Sequence, residues 1–184
     1  MSAARSTGFA LFSLAALAAS ALAQAPTPPA APPAAKPAFE AQVVTAEAVH
    51  AVVLPMKGSY MQHQQAFERL GGFLAGRGVA PSGPPFGRYF SDPAVGEANL
   101  VWEVGFPIAA GVTAEAPFEI RDLPATQVFV HVHRGPMEEL GTAWSQLVEW
   151  VFSNGYQIAG PATQVFKGDL AVAPEVEMRL PVQK

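Results

Sequence analysis

Few side chains in this 184-residue chain can do chemistry, and most of them fall in short matched stretches. Residues 160–166 read GPATQVF and residues 83–89 read GPPFGRY. In an extended strand Gln164 and Phe166 stand two apart and share a face. Tyr89 holds the place in the first stretch that Phe166 holds in the second. With Trp102 and Phe106, four apart in WEVGFP and so on one face of a strand, these residues form an aromatic set suited to stacking on a flat ligand. Packed core is the competing reading of Trp102 and Phe106. Gln164 can donate and accept hydrogen bonds, but it cannot take a proton at neutral pH.

His131 and His133 lie in H-x-H spacing on a strand, so both point the same way. Two imidazoles can begin a metal site, but a third ligand is needed and none stands nearby. No metal is expected. His131 is expected to line a groove and His133 to end its strand with a hydrogen bond. Glu103 sits between Trp102 and Val104 and faces away from them. Ser91-Asp92-Pro93 reads as a turn. No G-x-S-x-G, cysteine, phosphate-cradling glycine loop or H-E-x-x-H occurs, and no cofactor is implied.

The elements that must position these residues repeat. Sliding the chain by 77 positions puts Gly58 on Gly135, Phe67 on Trp144, Leu70 on Leu147, Gly83 on Gly160, Pro84 on Pro161 and Tyr89 on Phe166. After a three-residue slip, EVGFPI (103–108) falls on EMRLPV (177–182). Self-similarity at a fixed period is an architectural signal. Each copy opens with an apolar, β-branched run, AVVLPM (51–56) or QVFVHVH (127–133), that reads as a strand.

A helical stripe follows: Tyr60, Phe67, Leu70 and Leu74 in the first copy, and Met137, Leu140, Trp144, Leu147 and Val151 in the second. Ser59 suits an N-cap, Pro136 a first helical position, and Asn154-Gly155 a stop. Two short strands close each copy, at about 84–90 and 99–107, then about 161–167 and 174–182. The fold class is α+β: duplicated β-α-β-β units with pseudo-twofold symmetry, a mainly antiparallel sheet and two helices on one side. The junction of the halves is a favourable place for a ligand.

KGSY (57–60), GPPFGRYFSDP (83–93), WEVGFP (102–107), HRGPMEELGTAW (133–144) and GPATQVF (160–166) together resemble the GyrI-like small-molecule-binding, or AraC-type effector-binding, domains. The resemblance covers about residues 43–182. It implies binding of hydrophobic, often cationic or aromatic, molecules between the halves. It also implies that residue 164 faces the pocket, where relatives commonly carry a glutamate. A buried carboxylate there would pair with a cation or act as a general base; the amide of Gln164 does neither. A few relatives resemble hydrolases of reactive cyclopropane-containing compounds.

Residues 1–23 read as a signal peptide: Arg5, an apolar run over 8–22 and ALA at 21–23. Residues 24–40 read as a Pro/Ala-rich linker, extended and solvated. The GyrI-like domain is expected over 41–184. Loss of Arg5 with the leader leaves 10 basic residues against 15 acidic ones, a net charge of −5. With no basic run, nucleic acid is not an expected partner. After cleavage no stable membrane association is expected.

The sequence thus points to an exported, periplasmic or secreted bacterial domain that senses or sequesters a small hydrophobic or aromatic molecule. Its expected ligand-binding residues are Tyr89, Trp102, Phe106, His131, Gln164 and Phe166, with no catalytic residue. A xenobiotic hydrolase and a protein-interaction adaptor are the alternatives.

Overall fold

The computed structural model describes residues 39–168 and 174–184. The expected signal peptide and nearly all of the linker lie outside the described residues.

The β-branched runs form the long strands, as their alternation demands. The strands are β1 (Gln42–Ala46), β2 (Val49–Lys57), β3 (Phe86–Tyr89), β4 (Val101–Pro107), β5 (Glu119–Leu123), β6 (Thr126–Arg134), β7 (Gln157–Ile158), β8 (Ala162–Lys167) and β9 (Glu175–Gln183). They join in the order β1-β6-β9-β8-β3-β4-β2-β5, with β7 beside β9, and every described pairing is antiparallel. Read from either end, the order has the same logic: a lead strand, a long strand, then the two closing strands of one unit. The lead strands are exchanged. β1 precedes the first unit but pairs with the second through β6, and β5 precedes the second but pairs with the first through β2. Only two residues link β1 to β2 and β5 to β6, a span of about 10 Å. The two ends of the sheet are therefore drawn together, and the sheet curls.

Helices α1 (His63–Gly76) and α2 (Leu140–Ser153) lie on one face. Ala66, Leu70 and Leu74 of α1 pack on Val52, Leu54, Trp102 and Val104. Leu140, Ala143, Leu147 and Val151 of α2 pack on Phe129, Phe166, Val176, Met178 and Leu180. The expected stripes overshoot the helices at their starts. Tyr60 and Met137 sit in short 3-10 turns, Tyr60–Gln62 and Met137–Glu139, that lead into them. A tight first turn rotates these side chains off the helical stripe, and Met137 is 40% exposed. Pro136 precedes its turn rather than opening a helix. Ser59 does cap: its hydroxyl accepts from the Met61 N–H at 3.2 Å.

The other face of the sheet carries charge. Glu103 points there, as alternation requires, and is only 2% exposed. Arg88, its cross-strand partner, donates to it at 2.7 Å, and Arg121 stands 3.7 Å from its second oxygen. Glu177 holds the matching place in the second half, bonded by Lys167 at 2.6 Å and by Arg179. Around Glu103 the apolar side chains of Val53, Phe86 and Val165 close a small separate core. Glu103 is thus a structural anchor and no substitute acid for the groove.

Removing one member of such a pair strands the other. Glu103→Leu should lower the unfolding free energy by about 3 kcal/mol, and Glu103→Gln by clearly less, as read from urea denaturation. Equal stability of both variants with the parent would show that the pair contributes nothing.

Candidate functional site

Helix α1 lies over β2 and β4, and α2 lies over β6 and β9. The two central strands, β3 and β8, are left as a floor between the helices. Their register, Phe86–Val165 through Tyr89–Ala162, lays three rows of side chains across this floor. One row runs Ala162, Tyr89, Trp102, Met56. The next runs His131, Met178, Gln164, Gly87, Val104, Leu54. In the third, Phe166 and Phe106 flank Pro85, whose carbonyl accepts from the Phe166 N–H at 2.9 Å.

Gly87 lets the middle row work. Tyr89 folds its ring back along its own strand, and an added Cβ on Gly87 would stand 2.7 Å from the phenol oxygen. Lying over the glycine, the phenol reaches Gln164, the cross-strand partner of Gly87, at 2.8 Å. The same oxygen lies 3.0 Å from Nε2 of His63 on α1. His63 Nδ1 in turn bonds the Tyr60 carbonyl. A polar chain therefore runs from backbone through imidazole and phenol to the carboxamide.

Rings enclose the chain. His63 lies against Trp102 with centroids 4.3 Å apart, and Tyr60 meets Tyr89 edge-on at 5.2 Å. Phe67, one turn along α1, sits edge-on to Phe106 at 5.9 Å and to Phe166 at 5.6 Å, bridging the cores of the two halves.

The enclosure sets the protonation states. Burial, with a smaller push from Tyr60, raises the Tyr89 phenol far above the ordinary tyrosine range. Tyr89 thus acts as a hydrogen-bond donor and does not ionise near neutrality. Burial also raises Tyr60. Burial lowers His63, against the opposing pull of its bond to the Tyr60 carbonyl. A neutral imidazole follows at pH 7.

Of the residues expected from the sequence, Tyr89, Gln164, Phe106 and Phe166 gather on this floor. Trp102 is there too but is fully buried, with its indole N–H given to the Gly58 carbonyl at 2.9 Å. It backs the site and offers no open surface. His131 does not join the cluster. It lies two strands beyond Gln164, stacked on Phe39 at 4.1 Å and bonded to the Glu40 carbonyl at 2.7 Å. The segment that leads into β1 takes up its ring. His133 bonds the Pro136 carbonyl at 3.0 Å at the end of its strand. No three metal-ligating side chains gather among the described residues. Asp92 forms the expected turn by accepting from the Ala94 N–H at 2.8 Å.

The sequence reading missed Tyr60 and His63 as site residues. The signal was present: His63 stands in an apolar stripe where the other half has Leu140, and a polar substitution there calls for a partner.

A second, open cleft of about 430 Å³ lies on the charged face, lined by Gln42, Val44, Val49, Val130, Glu177 and Arg179. Burial raises the Glu177 carboxyl, but the bonds and charges of Lys167 and Arg179 outweigh this and hold it low. Glu177 and Arg179 are already paired with each other and no aromatic ring lines the cleft, so it is the weaker ligand site.

Comparison with known proteins bears on the fold. The GyrI-like small molecule binding domain profile matches residues 39–182. The EcmrR C-terminal domain superposes with a TM-score of 0.72 at 17% identity, covering 80% of this chain and 99% of that one. Against the longer EcmrR chain of a DNA complex, the match spans 58% of that chain. A hydrolase from Listeria innocua superposes at 0.60 with 14% identity, covering 81% of this chain and 94% of its own. SAV2435, in a structure bound to tetraphenylphosphonium, superposes at 0.54 with 10% identity, covering 79% and 94%. At these identities the likeness is one of fold. No curated protein matches the chain in sequence.

Gly87→Ala should expel the Tyr89 phenol from its bonds. In the parent chain Tyr89 should resist ionisation well beyond about pH 10. In the variant it should ionise near the ordinary range, as read from phenolate absorbance in an alkaline titration. An unchanged titration would mean that Gly87 does not hold Tyr89 in place.

Proposed function

The chain belongs to the GyrI-like small molecule binding domain family, and on that footing we propose that it binds a neutral, flat, hydrophobic or aromatic molecule on the floor between α1 and α2. Gln164 carries this reading. It stands at the centre of the aromatic floor, partly exposed, with one end of its carboxamide held by Tyr89 and the other without a bonded partner among the described residues. Tyr89, Phe106 and Phe67 supply apolar area around it. A site of this kind, apolar with one or two fixed polar groups, suits small-molecule recognition.

The floor favours binding over hydrolysis. A general base must take a proton. Gln164 has no such capacity, Tyr89 keeps its own proton, and the Nε2 lone pair of His63 faces Tyr89. SAV2435 is bound to a lipophilic cation, but a charged ligand gains most where a carboxylate waits for it. Here the matching side chain is an amide.

Lipophilic aromatic compounds should therefore raise the melting temperature, with triphenylphosphine oxide at least as effective as tetraphenylphosphonium. Gln164→Glu should shift that preference toward the cation by about tenfold, as read from binding titrations. A broad panel without any thermal shift would sink the binding reading. Equal preference in parent and variant would show that residue 164 does not face the ligand.

We further propose that the domain works after export to the periplasm or cell exterior. The apolar run over 8–22, the ALA at 21–23 and the Pro/Ala-rich stretch after it support this. The mature chain recovered from cells should begin at Gln24, as read by mass spectrometry, and should fractionate outside the cytoplasm. A cytoplasmic chain that retains residues 1–23 would overturn it.

A further inference from the structure

Tyr89 stands between two acceptors with one proton to give. His63 Nδ1 lies against the Tyr60 carbonyl. A carbonyl only accepts, so Nδ1 carries a proton. In the neutral imidazole, Nε2 is then a bare lone pair 3.0 Å from the Tyr89 oxygen. The phenol proton goes to it. The Tyr89 oxygen keeps only lone pairs for the carboxamide 2.8 Å away, and these are satisfied only by the amide –NH2.

In the imidazolium the order reverses. Nε2–H donates to Tyr89, and Tyr89 donates to the Gln164 oxygen, which is the carboxamide orientation in which Oε1 faces the phenol. A half-turn of the carboxamide exchanges its two ends without changing its shape.

We propose that His63 sets the polarity that Gln164 offers the ligand. With His63 neutral, the carboxamide oxygen faces the groove and selects neutral aromatics that bear an N–H or O–H donor. With His63 protonated, the –NH2 faces the groove and selects acceptors. The proposal rests on the binding reading above and narrows its ligand class. A glutamate at 164 could offer no such choice, since an ionised carboxylate only accepts.

The titratable groups facing the imidazole are two phenols, Tyr60 from its own lead-in turn and Tyr89 from β3. β4 presents the Trp102 indole and β8 the Gln164 amide, both uncharged. Burial raises both phenols, so neither ionises in the range where His63 titrates. The sign then follows. Burial places the His63 transition below the usual imidazole range, so the donor-selecting state holds at neutral pH. As pH falls through that lowered transition, donor ligands weaken and acceptor ligands strengthen.

Indole and benzofuran share a shape but differ in an N–H donor against an ether oxygen. Calorimetric titration of the full chain with each, from about pH 7.5 down to about pH 4.5, tests the proposal. Indole should bind about 5- to 10-fold tighter at the upper pH, with the preference lost or reversed at the lower. In His63→Phe, Tyr89 has only Gln164 to donate to, so benzofuran should be preferred at every pH.

A ligand-free readout guards against a variant that fails to fold. Nitrogen-15 shifts of the parent chain should show the Nδ1–H tautomer of His63 at neutral pH, and the Gln164 side-chain amide should titrate in step with it. Equal binding at the upper pH, an indole preference retained in His63→Phe, or an Nε2–H tautomer would overturn the proposal. If neither compound binds while the amide still titrates with His63, the proton order is supported and the binding reading falls.

Discussion

Four antiparallel residue pairs, Phe86–Val165 through Tyr89–Ala162, hold the two halves together, and the site depends on them. A β-α-β-β unit alone covers one helix with three strands and is about half the domain's size, so it buries too small a share of its surface to be more than a marginal core. The seam between β3 and β8 turns two such units into one curled sheet, and because α1 is seated mainly over β2 and β4 and α2 mainly over β6 and β9 it also creates the floor. Its register leaves no slack. A slip of one residue on β8 would turn Gln164 to the charged face and put Thr163 and Val165 under the groove. The far side resists that slip: Phe86 and Val165 are buried there beside the Glu103–Arg88 pair, so a shifted strand would strand apolar and charged groups together.

The two halves use the same frame differently. The first contributes Tyr60, His63 and Tyr89, and the matching positions of the second are Met137, Leu140 and Phe166. Polarity crosses over only at the middle row, where Gly87 of the first half faces Gln164 of the second. The glycine and the amide are one device. The missing side chain on β3 makes room for the Tyr89 ring, and the long one on β8 comes to meet it. Gly105 does the same on the other face, where Phe86 lies over it so closely that an added Cβ would stand 2.3 Å from the ring. In both places an aromatic covers the gap that a glycine leaves in a central strand.

Much of the frame was legible because it rests on periodicity. The strands, the two apolar stripes and the closing pair of each unit lie where alternation and 3.6-residue spacing put them, and Glu103 falls on the face that alternation assigns. The 3-10 lead-ins were not legible, since a tightened first turn and an α-helical one share the same local residues. The site was half legible. Tyr89 and Gln164 stood out through their matched stretches, whereas the role of Gly87 depends on a ring lying back along its own strand, which no spacing rule encodes. His131 misled because it shares the row and face of Gln164. What separates them is Met178 between and Phe39 above, both contributed from distant parts of the chain.

The sheet sorts its charges by face, and this bears on what the groove can recognise. Glu103 and Glu177, at matched places in the two halves, both point away from the helices, each with its own cations. The groove side of the same strands presents an amide, a phenol and an imidazole, joined into one chain of bonds. A carboxylate on this floor would need a cation to offset its burial, and its only near neighbours are neutral rings. Selection here therefore rests on shape, stacking and the direction of individual hydrogen bonds. Those bonds count for more than they would in water, because the rings around them exclude it and an unmatched donor or acceptor has nowhere else to turn.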